Sequence, residues 1–253
     1  MTNIHQVNPD PDGGCACGAH AGETRKGNLA VPGLARRRFL AAGAATALVG
    51  GAAILTAPAA RAQSALSPAA ALDRLMAGNA RFVGNRLASF QEDLDILKAG
   101  TVESQAPFAA VLSCADSRVP VELVFDQSIG HVFVTRVAGN VATPEIMATL
   151  EYGAAVLGTR AIMVLAHQSC GAVKAAIAGK AVPGQISALY RPLRPAVEQA
   201  GSDVEAVAKA NARIQADLIA TSSPVIADMI KQGALKVVAA YYDLASGKVT
   251  LLS

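Results

Sequence analysis

The chain has 253 residues, 52% of them hydrophobic, with 22 glycines and no tryptophan, enough for one full-sized core and, by default, one domain. Charges nearly balance, 22 Lys and Arg against 19 Asp and Glu. Nothing in that balance points to a nucleic-acid partner.

The first 62 residues differ from the rest. In "LARRRFLAAGAATALVGGAAILTAPAARAQ" an arginine cluster is followed by 22 uncharged residues, Phe39 to Ala60. Arg36 and Arg37, followed by Arg38, Phe39 and Leu40, resemble the R-R-x-F-L twin-arginine signal for export of folded bacterial proteins. Ala60-Arg61-Ala62 supplies a small-x-small cleavage site. This reading makes 1–62 a removed signal peptide and 63–253 the mature domain, beginning near Gln63. It places the mature protein in the periplasm or otherwise outside the cytoplasm and makes the export machinery a partner of the precursor. The alternative is an uncleaved membrane anchor, because 22 uncharged residues can span a bilayer. Removal of the leader takes six basic and three acidic groups, leaving 16 of each sign. Cys15, Cys17 and His20 look like a metal tract but fall in the leader, among Gly and Ala that build no packed site.

From Ser67 onward, Leu72, Leu75, Met76 and Phe82 recur near a helical spacing behind Pro68, which predicts an N-terminal helical arm. Apolar runs bounded by turn residues predict strands at 107–113, 131–137, 160–166 and 235–244. Helical patterns fall at 144–158, 170–179 and 202–233, the last broken near Pro224. "YYDLASGKVTLL" adds a hairpin-like end that turns at Ser246-Gly247. Alternating strands and helices predict an α/β fold with a mostly parallel central sheet flanked by helices.

Cys114 follows the first strand and His167 the third, where an open α/β sheet places its ligands, just beyond the carboxyl ends of strands. Cys170 opens a helix, whose first N–H groups favour a thiolate. If the two strands are neighbours, the three side chains meet. A Cys₂His set with an exchangeable fourth ligand has the composition of a catalytic zinc site. A disulfide between the two cysteines of the exported domain, or a pair of buried free thiols, are the alternatives. In "SCADSRVP", Asp116 and Arg118 share one tight turn. There a carboxylate can ligate a metal or accept a hydrogen bond, and the arginine fork can hold it in place.

"CADSRVP" with "HQSCGAV" resembles the β-class carbonic anhydrase signature, C-x-D-x-R followed some fifty residues later by H-x-x-C-G. The similarity runs from "GNARF" through "RVAGNV" and "EYGAAVLGTRAIMVLAH" to "YYDLASGKV". The resemblance implies reversible hydration of carbon dioxide to bicarbonate by attack of zinc-bound hydroxide, with one zinc per chain held by Cys114, His167 and Cys170. It implies that Asp116 and Arg118 are the catalytic gating dyad, Asp116 becoming a fourth ligand in a closed form. Gln105, Phe133, Ala138, Tyr152 and Gly171 fall at the family's substrate-pocket positions. Ala138 replaces a commoner larger aliphatic residue, and Ala172 stands where a second glycine is frequent.

The resemblance further implies a dimer or tetramer, with the active site at a subunit interface and the arm, Ala70–Val83, embracing the partner. The family's bicarbonate-regulated members carry a tryptophan and a glycine where this chain has Val111 and Ser113, so the expected state is the open one, with Asp116 released to Arg118. His131 reads as a solvated turn residue, and no proton carrier stands out. Two other functions share these residues: a hydrolase of carbonyl sulfide or carbon disulfide on the same zinc, and a non-enzymatic zinc-binding module.

Overall fold

The computed structural model describes residues 64–89, 101–102 and 104–253. The arginine motif, the cleavage site and the Cys15–His20 tract lie outside them. Among the described residues no helix is long and apolar enough to cross a membrane.

Five strands form one sheet: β1 (Ala109–Ser113), β2 (Val132–Arg136), β3 (Ala161–His167), β4 (Lys236–Tyr242) and β5 (Val249–Leu252). Their order is β2-β1-β3-β4-β5, parallel except for the β4–β5 hairpin. Each predicted strand is present, two or three residues shorter or in slightly shifted bounds. β1 and β3 are buried along their whole length, which explains why both read as unbroken apolar runs: a central parallel strand is covered on two faces.

Side chains alternate between those faces. Ala110, Leu112 and Cys114 join one core with Ile162, Val164 and Ala166. Ala109 and Val111 join the other with Met163 and Leu165. The register sets Ser113 beside Leu165, so β1 and β3 are neighbours and their carboxyl ends open side by side.

The helices are α1 (Pro68–Val83), a short α2 (Val121–Val124), α3 (Pro144–Glu151), α4 (Gly171–Ala178), α5 (Tyr190–Ala200), α6 (Val204–Ser222) and α7 (Pro224–Lys231). The helix expected at 144–158 is not uniform. Beyond α3 the backbone widens into a π turn at Tyr152–Val156. A Cβ on Gly153 would lie 2.9 Å from the Phe133 ring, so this turn packs directly on β2. α5 was not expected, because two prolines interrupt its pattern. Pro192 sits in the first turn, where the missing N–H is no loss, and Pro195 is tolerated inside the helix while Leu193 and Ala196 are buried. The expected break near Pro224 falls between α6 and α7, where Ser223 accepts a capping bond from the Ile226 N–H.

One face of α1 belongs to this chain's own core. Ala71, Leu72 and Leu75 are buried, and a Cβ on Gly78 would collide with the Phe125 carbonyl. Asn79 donates to Val124 O and Gly247 O and accepts from Val249 N. "GNARF" is thus a close helix-to-core contact.

A second tie is Asp126, whose carboxylate accepts from Arg81 and from the Ala88 and Ser89 N–H groups, each of these at 3.0 Å. Burial alone would raise its carboxyl, but those donors outweigh it and hold the pKa below the ordinary value. Its stabilisation is therefore present above the unfolded-state pKa and lost as pH falls through the lower folded one. Asp126→Asn is expected to cost about 2 kcal/mol at neutral pH. In denaturant titrations the gap from wild type narrows below about pH 4; an equal gap at pH 7 and pH 3 would contradict it.

Candidate metal centre

Cys114 lies one residue past β1, His167 is the last residue of β3, and Cys170 immediately precedes α4. All three are buried, and one donor atom from each lies within 4.8 Å of the others. The turn from β3 to α4 is tight: Ser169 adopts φ 56°, and the Cys170 sulfur comes within 4.8 Å of a His167 ring nitrogen. The two sulfurs are 3.9 Å apart and belong to free thiols. Two Zn–S bonds of about 2.3 Å at a tetrahedral angle set sulfurs about 3.8 Å apart, so the spacing suits a shared metal.

His167 supports the same assignment. Its Nδ1–H donates to Gln168 O at 2.9 Å, which leaves the lone pair on Nε2. That nitrogen is fully buried and has no hydrogen-bond partner. A buried unpaired acceptor is costly, and a cation between the sulfurs resolves the cost. Either thiol can donate to the other across the 3.9 Å between the sulfurs. Cys170 S–H leads the effects that lower the Cys114 thiol to about 4 against the opposing pull of burial, with the Gly139 N–H adding to it. The same hydrogen bond pushes Cys170 up. A divalent cation held by Cys114, His167 and Cys170 would displace the thiol protons, and two thiolates with one imidazole would balance its charge.

Asp116 stands beside this set, Oδ2 being 3.9 Å from His167 Nε2. Arg118 grips it with Nε to Oδ1 at 2.9 Å and Nη2 to Oδ2 at 2.8 Å, while the Arg118 backbone N–H donates to Oδ1. The guanidinium holds the Asp116 carboxyl well below the usual carboxylate range. Asp116 and Arg118 are thus paired through both carboxylate oxygens. Arg118 also reaches Ser169 O at 3.4 Å, linking the two ligand loops.

The expected substrate residues separate into two groups. Gly171 adjoins Cys170, and a Cβ there would meet nothing within 4 Å. Ala138 adjoins Gly139, whose N–H donates to Cys114 Sγ at 3.3 Å. The other three lie elsewhere in the chain. Phe133 pairs with Ala110, four residues and about 13 Å of strand before Cys114. Tyr152 packs near it, ring centroids 6.3 Å apart. Gln105 precedes β1 and is exposed, at the end of the strand opposite Cys114.

His131 is not simply solvated: it is half-buried, with Nδ1 3.2 Å from Arg74 Nη2. Arg136 was not singled out in the sequence, yet it donates from Nε to Cys114 O at 2.9 Å and from Nη2 to Asp116 O. Its signal was its place at the end of β2, level with Ser113. Also unanticipated were Asn211 and Gln215, buried polar residues of α6, which an i,i+4 polar pair on an apolar stripe would have revealed.

Fold and donor set together define a mononuclear zinc enzyme built on an open α/β sheet. The chain belongs to the carbonic anhydrase family, and to its β class: residues 109–249 match that family. Carbonic anhydrase 2 of Mycobacterium tuberculosis is 34% identical over 193 residues, which is 73% of this chain and 93% of that protein. The β-carbonic anhydrase CafA of Aspergillus fumigatus is 25% identical and superposes with a TM-score of 0.59 over 72% of this chain and 90% of that one. A Coccomyxa β-carbonic anhydrase in complex with acetazolamide is 26% identical, with a TM-score of 0.55 over 64% of this chain and 81% of that one. This protein is accordingly a zinc-dependent carbonic anhydrase, interconverting carbon dioxide and bicarbonate.

Proposed function

We propose that Cys114, His167 and Cys170 hold the zinc and that Asp116, anchored by Arg118, aims the nucleophile in an exported carbonic anhydrase. One observation carries the site: three buried donors from two segments, the end of β1 and the β3–α4 turn, converge within 4.8 Å, beside a carboxylate held at both oxygens. Zinc, when bound, supplies hydroxide near neutral pH by lowering the pKa of water. The chain's own groups do the rest. The Gln168 carbonyl fixes the His167 tautomer. Asp116, acceptor-only when ionised, takes a hydrogen bond from the nucleophile's O–H and so turns a lone pair toward the carbon of carbon dioxide. Arg118 keeps that carboxylate from swinging. The open space over Gly171 leaves room for substrate beside Cys170.

Stopped-flow hydration on zinc-quantified mature protein tests this reading. About one zinc per chain, hydration that follows zinc content, and inhibition by acetazolamide are the expected results. Faster turnover of carbonyl sulfide or carbon disulfide would favour a sister hydrolase, and zinc without any turnover a binding module.

A self-assembled dimer or tetramer completes the proposal. Its support is the position of Gln105, Phe133 and Tyr152 away from the metal ligands of their own chain, where a second copy can use them. The similar fold includes "two tetrameric beta-carbonic anhydrases" of Sordaria macrospora, 23% identical with a TM-score of 0.58. Light scattering giving a monomer for active protein would contradict it.

Export rests on the arginine motif and the small-x-small site, with 1–62 removed and 63–253 delivered folded to the periplasm. Folding before export lets zinc load onto reduced thiolates. Replacing Arg36 and Arg37 with lysine is expected to strand active enzyme in the cytoplasm, because the export receptor reads the pair and not only its charge. Fractionation with mass analysis checks it. An exported form that keeps the intact 39–60 segment would favour the membrane anchor.

A further inference from the structure

Asn211 and Gln215 are almost wholly buried on α6, at 0% and 2% exposure. Asn211 is not there for helix propensity, since asparagine is a poor helix former, and burying two amides costs free energy unless both are hydrogen-bonded. Their partners are specific. Asn211 Nδ2 donates to Gly139 O at 2.8 Å. Gln215 Oε1 accepts from the Ala142 N–H at 2.8 Å, and its Nε2 donates to Asn211 Oδ1 at 3.2 Å and to Pro192 O at 3.3 Å.

The segment they hold is the turn after β2. Gly139 and Asn140 take φ of 78° and 43° in succession, and Asn140 N closes on Val137 O at 2.9 Å. This is the conformation that points the Gly139 N–H at Cys114 Sγ, 3.3 Å away. Two left-handed residues in a row are costly, above all at the non-glycine, so the turn needs outside support. Asn211 supplies it at the carbonyl of the residue whose N–H reaches the sulfur, and Gln215 at Ala142, three residues further on.

We propose that Asn211, braced by Gln215, is a positioning residue for the metal centre, holding the turn at Gly139 so that its N–H donates to the Cys114 sulfur and sets the charge that sulfur offers to zinc. The inference rests on Cys114 being a zinc ligand. An N–H donor draws electron density from a thiolate and fixes its direction, and partners of this kind affect metal affinity about as strongly as some ligands do.

The test uses Asn211→Leu and Asn211→Asp. Leucine removes both amide functions; aspartate keeps an oxygen near Gln215 and loses the donor to Gly139. Ile219→Val, on the same helix and fully buried, is the control for general loosening of α6. Zinc affinity is read by competition with a chromogenic chelator, and the cobalt-loaded protein by its sulfur-to-cobalt charge-transfer bands. Both Asn211 variants are expected to bind zinc about tenfold more weakly, with those bands moved to longer wavelength, while Ile219→Val keeps wild-type values. Asn211 variants that melt earlier but retain wild-type affinity and bands would overturn the proposal. If neither variant folds, cadmium-113-loaded wild type decides: a scalar coupling between the metal and the Gly139 amide proton through the sulfur supports the proposal, and its absence overturns it. Wild type that binds no zinc would instead overturn the ligand set, and the inference with it.

Discussion

Cys170→Ala is expected to leave a folded protein with almost no zinc and no carbon dioxide hydration above the buffer background. Cys170 is 1% exposed and precedes α4 without making a side-chain cap bond, so an alanine there removes a sulfur but no support of the helix. What remains is one thiol and one imidazole. Two ligands in place of three do not hold a structural or catalytic zinc. The protein also loses the stabilisation that metal binding gives the native state, so its melting temperature stops responding to added zinc. Zinc content, hydration rate and a melting curve with and without zinc check the prediction together. Wild-type zinc in the variant would mean that Cys170 is not a ligand. A 114–170 disulfide in metal-free wild type would instead support the stapled alternative.

How much of this was visible in the sequence follows from what each signal depends on. β1 and β3 were visible because central parallel strands must be apolar along their length. Cys114 and His167 were visible because they end those runs, and their meeting needed only that β1 and β3 be neighbours, as the register now shows. α5 was missed because Pro192 and Pro195 break a local pattern that Leu193 and Ala196 restore only by packing in three dimensions. Arg136, Asn211 and Gln215 escaped for a related reason. Their partners are backbone atoms of the Cys114 loop and of the turn after β2, and a backbone atom carries no residue identity for a sequence motif to record. The π turn at Tyr152 depends on the approach of Gly153 to Phe133, twenty residues earlier in the chain. Gln105, Phe133 and Tyr152 could be matched to positions by resemblance, but which copy's metal centre they serve depends on assembly.

Asp116→Ala is expected to keep about one zinc per chain and to lower hydration at neutral pH about a hundredfold, in the range seen when a group that handles the reacting proton is removed. Zinc should stay because the three buried donors make a complete set without the carboxylate, which faces Arg118 with both oxygens. The rate should fall because thiolates give up more charge to a metal than imidazoles do. The nucleophile then depends more on a nearby acceptor for its orientation. Asp116 Oδ2, 3.9 Å from His167 Nε2, is placed beside the donor set to be that acceptor. Arg118→Ala should act in the same direction but by less, about tenfold. An ordinary carboxylate is already ionised at neutral pH, so Arg118 contributes direction and not charge. The Arg136 bonds to Cys114 O and Asp116 O still hold the loop when Arg118 is lost, which limits the damage to the side chain of Asp116. Stopped-flow rates at matched zinc content decide the matter: undiminished turnover in Asp116→Ala removes it from the mechanism, and loss of zinc in that variant makes it a ligand.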